Sequence, residues 1–567
     1  MYTIQKIHQE VLMALKSAIG KQYAPAIDEF ETPPDIKLGD IAFPCFGLAR
    51  GMGKPPSEIS AELAQKIEPK GLISKVEAHG SYINFFLDVN TVGQETLKEI
   101  LGQGEKYGTH KTGKGKKVMV EYAQVNTHKA VHVGHVRNIV LGRTVSALLE
   151  RIGYTVICSS YHGDVGTHVA TTLWGLIKFH KDEKPPKIKR AIWLGGIYAE
   201  AVEQMENEDC REEVKELNRK LAAGDSKLRS VWKKTRTWSI KEFTEVFEEL
   251  GARIDKKYFE SEMDDPGRKI VAELIRLGIA KESEGAIVVP LEEFGLETFL
   301  VLKSDGTTLY ATRDLALASL KFKNFDIDRS LHVVDMRQTL YFKQLGKTLE
   351  LLGFDRPFIH IPYEFVKLPG GAMSSRKGDV VTYDELREAV FEKTYKETKK
   401  RHEDWSEKKI KETTRQISFA GINFGMLAPD VSRVISFDIE NSISFDGFTG
   451  PYIQYTGARI SSILKKASYK VSKEIEFKTE EPAERKIMML LAQFPQVVLS
   501  SAERMRPAPL AAYLFDLAKA FSEFYENIPV LKAQESLRKS RLDLIYSVRI
   551  VLENGSRLLG FEIPDKM

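Results

Sequence analysis

Cysteine is scarce: Cys45, Cys158 and Cys210 are the only three in 567 residues. None stands in a CxxC pair, so neither a disulfide framework nor a zinc site is indicated. Long apolar runs are missing as well. No stretch approaches the ~20 residues that span a bilayer. The opening MYTIQKIHQEVLMALKSAIG lacks the basic start and solid apolar block of a secretory signal. Charge of one sign is also lacking: 83 Lys+Arg face 79 Asp+Glu, and the net +4 is too small to argue for an acidic partner. No internal repeat and no low-complexity segment is visible. What remains reads as an ordinary soluble globular chain, with a reducing cytoplasm as its expected compartment and no membrane attachment.

The length exceeds what one hydrophobic core holds and suggests roughly three to four domains. Residues 1–112 read as an α+β N-terminal domain. Ile4, Ile7, Val11, Leu15 and Ala18 share one helix face, and Ser57, after Pro55-Pro56, is placed to cap a second helix. Residues 76–87 read as one strand, and GTHKTGKGKK at 108–117 as a flexible linker without P-loop spacing.

Residues 113–440 carry the alternating pattern of a doubly wound α/β domain, interrupted at about 180–258 by a charged helical insertion. Trp193, Trp232 and Trp238 in that insertion read as core aromatics rather than stacking platforms. Residues 299–303, a Ser-Asp-Gly turn and 308–312 signal a hairpin, after which Asp314 stands at a helix start. A strand at 331–334, a helix at 339–352 and a strand at 358–361 follow. From 441 to 567 strand signals vanish, and 451–466, 487–499, 509–527 and 542–559 read as an all-α bundle.

The chain is organised around 118–153. Apolar residues 118–122 form a strand carrying Glu121, and His-Val-Gly-His at 132–135 opens a helix that Gly153 stops. A second strand at 154–159 completes a βαβ unit, whose ligands sit beyond the strand ends near the helix N-terminus. There the helix dipole and free N–H groups favour an anion, glycine permits close approach, and two imidazoles can donate to a phosphate. Histidines also cap helices, so HxGH alone leaves both readings open. A second signal is Met373-Ser-Ser-Arg-Lys-Gly in a Gly-rich loop after a later strand. Cationic loops of this kind can stabilise departing pyrophosphate, although a lone match is usually only a solvated loop.

Taken together, these blocks resemble the class I aminoacyl-tRNA synthetases, and within them the arginyl-tRNA synthetases. The resemblance runs through SYINF (81–85), VEYAQVNTHKAVHVGHVRN, YHGDVGTH, LYATRDLALA, VVDMRQTLYFKQL, MSSRKG and GPYIQYTGARISSIL. It implies a Rossmann-like catalytic domain, an anticodon-binding helical bundle and an N-terminal module that touches the tRNA corner. It also implies attachment of L-arginine to tRNA(Arg) through an arginyl-adenylate, with ATP as substrate accompanied by Mg²⁺. Acylation of the 2′-hydroxyl and activation that waits for tRNA belong to the same expectation, as does a monomer.

Matched by position, His132, Gly134 and His135 fall on the ATP-binding pair. Glu121, Asn126, Tyr310, Asp314 and Gln338 fall on the amino-acid pocket. Asp314, Glu121 and the Tyr310 hydroxyl suit a guanidinium, and Asn126 and Gln338 the α-amino and carboxylate end. Tyr310 and Gln338 also read as ordinary half-buried polar residues, and Asp314 as an N-cap. Tyr82 and Asn84 fall on tRNA-contact positions, with core strand residues as the alternative. Met373, Ser374 and Ser375 belong to the ATP-binding loop. That loop departs from the common KMSKS pattern, since Ala372 and Ser375 occupy the lysine positions. The resemblance points to Lys129, upstream of HxGH, as the compensating cation, with Arg376 or Lys377 assisting.

Overall fold

The computed structural model describes all residues except 21–22, 368–380 and 472–474. Its centre is a five-stranded parallel sheet in the order Phe358–Tyr363, Arg329–Asp335, Lys117–Glu121, Thr155–His162, Lys256–Phe259. Strands buried on both faces need near-continuous apolar sequence, and Val118, Met119 and Val120 are all at most 1% exposed. The chain order reverses on either side of Lys117–Glu121, so the crevice beyond its carboxyl end is the expected ligand site of this doubly wound sheet.

Helix Val133–Arg151 crosses between the first two strands and is buried along most of its length. Three of its arginines reach other parts of the chain. Arg137, 1% exposed, donates to the carbonyl of Glu364 and, at 2.9 Å, to that of Arg433. Arg143 donates to Leu558 O at 2.9 Å, and Arg151 to Tyr107 O at 2.6 Å. None of the three is ion-paired among the described residues. Charged donors on backbone carbonyls satisfy acceptors without adding a buried anion.

The insertion consists of helices Thr167–Phe179, Arg190–Glu203, Glu208–Ala223 and Ser226–Glu249. Trp193, Trp232 and Trp238 are half-buried there, with Trp232 donating to Asp164 O at 2.7 Å. A small antiparallel sheet (Lys281–Ser283, Ala286–Val289, Phe299–Leu302) precedes helix Tyr310–Phe325. The expected hairpin at 308–312 is therefore only a bridge between Leu302 and Thr308. Thr312 explains the change: its hydroxyl bonds Val301 O and accepts Leu309 N–H at 2.9 Å, which starts the helix two residues later.

Residues 76–87 fold as two strands, Ile73–His79 and Tyr82–Leu87, because Gly80 turns at φ +56°. The helix expected after Pro55-Pro56 spans Pro56–Lys66 with Pro55 as its N-cap, so Ser57 lies inside it, and a further helix, Phe46–Met52, precedes it. A proline at the first turn forfeits only an orphan N–H. The stretch 108–117 is packed rather than free: His110 Nε2 lies 2.8 Å from Pro495 O, and a Cβ on Gly113 would meet Tyr154 Cδ2 at 2.2 Å.

Helices Gly450–Lys466, Pro482–Glu503, Ala508–Asn527 and Glu535–Leu559 form the C-terminal bundle. Pro495 interrupts Pro482–Glu503 and cannot donate to Leu491 O. Tyr107 supplies that carbonyl with its hydroxyl at 2.9 Å. Asp40, in the N-terminal region, receives Arg485 of the same helix at 2.5 Å. No described helix is long and apolar enough to cross a membrane.

Candidate active site

A cavity of about 1140 Å³ opens at the carboxyl ends of the sheet strands. Its lining includes Glu121, Asn126, His132, Gly134, His135, Tyr310, Asp314 and Gln338. Eight positions drawn from five separate stretches of sequence thus line one cavity. Lys129 lies beside it, and Met373, Ser374, Ser375, Arg376 and Lys377 lie outside the described residues. Lys367 and Val381, which flank that undescribed stretch, both line the cavity. Val381 O accepts Val133 N–H at 3.0 Å, and Tyr383 N–H donates to Val131 O at 2.8 Å. Val366–Lys367 pairs with Ile435–Ser436. Both stems are therefore fixed near HxGH.

His132 is the N-cap of its helix. Its Nδ1 accepts His135 N–H at 3.4 Å, and His135 Nδ1 accepts His132 N–H at 3.1 Å. The rings stack at 3.6 Å. Burial, followed by the nearby Lys129 charge, pushes His132 down to about 4; burial holds His135 well below its ordinary value. Both imidazoles are neutral, and both use Nδ1 as an acceptor, which assigns the proton to Nε2. A Cβ on Gly134 would lie 3.1 Å from His132 Cε1. Glycine thus makes room for the folded-back imidazole.

The loop carrying Asn126 and Lys129 is braced from several sides. Ala123 turns at φ +60° while its N–H donates to Asn138 Oδ1 at 2.6 Å. Thr127 N–H donates to Gly163 O at 2.9 Å, and buried His128 sits 2.8 Å from Thr235 Oγ1. Lys129 Nζ lies 4.9 Å from the centre of the Tyr198 ring and makes no ion pair among the described residues.

The opposite wall is acidic. Asp314 lies inside its helix, in the second turn, and is not an N-cap. Its Oδ2 accepts the Tyr341 hydroxyl at 2.5 Å. Burial, aided by the Glu121 charge, raises its carboxyl to about 7, although the Tyr341 hydrogen bond opposes the rise. Glu260, missed in the sequence, also lines the cavity. Burial lifts it to about 7 even with Arg313 at 3.2 Å. Glu121 is deeper and behaves oppositely. Burial favours its protonation, yet Lys321 and His332 hold the carboxyl below the usual range. Lys321, 0% exposed, contacts Glu121 directly, and His332 Nδ1 lies 3.4 Å away. Lys321 also went unnoticed in the sequence, although Tyr310, Asp314 and Lys321 recur at helical spacing on one face. Glu260, Tyr341 and His332 come from other elements and carried no local signal.

Tyr310 and Gln338 stand exposed on the rim. Tyr82 and Asn84 belong to the N-terminal sheet. Tyr82 meets the exposed Phe46 ring edge-on at 5.7 Å, while Asn84 is 4% exposed with its Oδ1 unpartnered. Among the described residues no group of three or more His, Cys, Asp or Glu is arranged to hold a metal ion.

Residues 96–432 match the family of class I (R) tRNA synthetase catalytic domains. Residues 453–567 match the DALR anticodon binding domain, and 5–87 the arginyl tRNA synthetase N-terminal domain. An arginine–tRNA ligase of Bdellovibrio bacteriovorus is 37% identical over 572 residues, covering 98% of each chain. One of Halothermothrix orenii is 34% identical over 95% of each. The solved arginyl-tRNA synthetase of Thermus thermophilus superposes with a TM-score of 0.85 at 27% identity, covering 99% of this chain and all of that one. Matched in this way from end to end, the chain belongs to the arginyl-tRNA synthetase family of class I synthetases.

Proposed function

We propose that the chain is an arginine–tRNA ligase whose cavity activates L-arginine with ATP and passes it to tRNA(Arg). One observation carries this reading: a single cavity joins two neutral, Nε2-protonated imidazoles to a wall bearing Asp314 and Glu260. The arginine carboxylate attacks the α-phosphorus of ATP in line, pyrophosphate leaves, and the terminal ribose hydroxyl of tRNA then displaces AMP from the adenylate. His132 and His135 donate Nε2–H to phosphate oxygens whose charge grows in the first step. Mg²⁺ enters with ATP as part of the substrate.

Asp314, Glu260 and the Tyr310 hydroxyl receive the guanidinium. Glu121 already holds Lys321, so it contributes negative field rather than a free acceptor. Asn126 and Gln338 serve the amino and carboxylate groups. Lysine leaves acceptors unpaired in such a site, and mismatches of this kind discriminate by about 10⁴ or more. Lys129 takes triphosphate charge, with Arg376 or Lys377 assisting. Its placement beside His132, with no ion pair among the described residues, supports that role.

The tRNA lies across the C-terminal bundle, with Tyr82 and the exposed Phe46 offered to its corner and Asn84, 4% exposed, supporting them from the strand. Activation waits for tRNA, a reading supported by Arg143 and Arg151, which tie the HxGH helix to Leu558 and Tyr107. The chain works as a cytoplasmic monomer, with tRNA, L-arginine and ATP as its partners. Charging of mixed tRNA with each amino acid, by the wild type and by His135→Ala, tests the assignment. Arginine alone should be charged, and the variant should lose that activity. Charging with another amino acid, or an unaffected variant, overturns it.

A further inference from the structure

Three carboxyls and two cations meet around the acidic wall. Glu260 and Asp264 hold Arg313 at 3.2 and 2.7 Å, and Glu121 holds Lys321. Lys321 is a lysine with no exposed surface inside a cavity assigned to a cationic substrate. Left unpartnered, a buried anion such as Glu121 is costly, and its simplest counter-ion would be the substrate itself. The chain supplies that counter-ion from the helix that carries Asp314, two turns further along the same face.

We infer that Lys321 is a positioning residue for arginine recognition: by occupying Glu121 from within, it limits the cavity to one guanidinium and leaves Asp314 to receive it. The inference rests on the cavity being the arginine site. Its consequence is electrostatic. Asp314 faces the carboxyls Glu121 and Glu260, the cations Lys321 and Arg313, and the hydroxyls of Tyr341, Tyr161 and Tyr310. Glu121 opposes ionisation of Asp314 and Lys321 favours it. Removing Lys321 exposes Asp314 to an uncompensated Glu121, and Asp314 then stays protonated to higher pH and accepts fewer donors. Removing both charges cancels the two effects.

The experiment is calorimetric titration of the full chain with L-arginine across neutral pH. Lys321→Met should move the midpoint of arginine affinity upward by about one pH unit. Glu121→Gln should move it downward, and Glu121→Gln/Lys321→Met should restore it to near the wild-type position. A purely structural role for Lys321 would weaken binding at every pH without moving the midpoint, and that result overturns the inference. Should Lys321→Met fail to fold, the downward shift in Glu121→Gln and its reversal in the double variant test the same claim; absence of either refutes it. Asp314→Asn separates the two levels. Unchanged arginine affinity there sinks the assignment of the cavity itself, whereas lost affinity with an unmoved midpoint in the pair variants sinks only the role of Lys321.

Discussion

His132 and His135 cap each other: each Nδ1 accepts the other's backbone N–H, at 3.4 and 3.1 Å, and each Nε2 is left to donate. Capping and catalysis thus fall on different nitrogens of the same rings. His135→Asn keeps an acceptor near the Nδ1 position and removes the Nε2–H. It should reduce arginine-dependent ATP–pyrophosphate exchange by about 10²–10³-fold, while stability changes by no more than a lost cap, about 1 kcal/mol. Thermal denaturation beside exchange kinetics checks both. Normal exchange in this variant would show that the ring serves only the helix.

Asp314 and Glu260 make arginine a pH-dependent stabiliser. Burial raises both carboxyls to about 7, above their values in the unfolded chain. The stability tied to their protonated forms is complete below the unfolded pKa and disappears as pH rises through about 7. Bound guanidinium reverses this by pairing with the ionised forms. The rise in melting temperature on adding arginine should therefore be larger near pH 8 than near pH 6. Differential scanning calorimetry reads it directly, and an equal rise at both pH values contradicts the assignment.

Lys129 has no carboxylate partner among the described residues and leans on Tyr198. Lys129→Ala should slow pyrophosphate exchange by about 10²-fold or more, with arginine affinity little changed. Near-normal exchange would leave the triphosphate charge to Arg376 or Lys377 alone.

Arg137 spreads one guanidinium over several carbonyls and, among the described residues, faces no carboxylate in hydrogen-bond contact. Lysine has the charge but not the planar fork. Arg137→Lys should cost about 2–3 kcal/mol in denaturant unfolding, the scale of charged hydrogen bonds lost in a buried site. A loss below about 0.5 kcal/mol would mean that water replaces the fork.

Tyr82 and Asn84 share a sheet face with the exposed Phe46 nearby. The Tyr82→Ala/Asn84→Ala variant should weaken tRNA binding by about tenfold while leaving arginine binding intact. Unchanged tRNA affinity refutes the contact.

Local features were legible in the chain, and convergent ones were not. The strand at 117–121, the helix beginning at His132 and the stop at Gly153 announce themselves through apolar spacing and a glycine at φ +98°. The two histidines stand three residues apart, so the helix that joins them also places them. Glu260 directly follows the strand Lys256–Phe259 and His332 lies in the strand Arg329–Asp335, far apart in sequence, and only sheet order brings them to Glu121 and Asp314. Asp314 was misplaced by one helical turn because Thr312 anchors the helix start through Val301, a contact that no residue pattern discloses. The 108–117 stretch has a linker's composition, yet it is held by Arg151, Ile152 and Pro495, each 39 or more positions beyond the residue it bonds.

The bond between Asp40 and Arg485 spans 445 positions of sequence, and that of Tyr107 to Leu491 spans 384. On a ribosome adding about 5–20 residues per second, Asp40 waits roughly 20–90 s for the helix that carries Arg485. During that interval Asp40 lacks the Arg485 guanidinium, and Tyr107 lacks the Phe494 ring on which it stacks. The surroundings of Asp40 and Tyr107 are therefore completed only once the helix Pro482–Glu503 has been made.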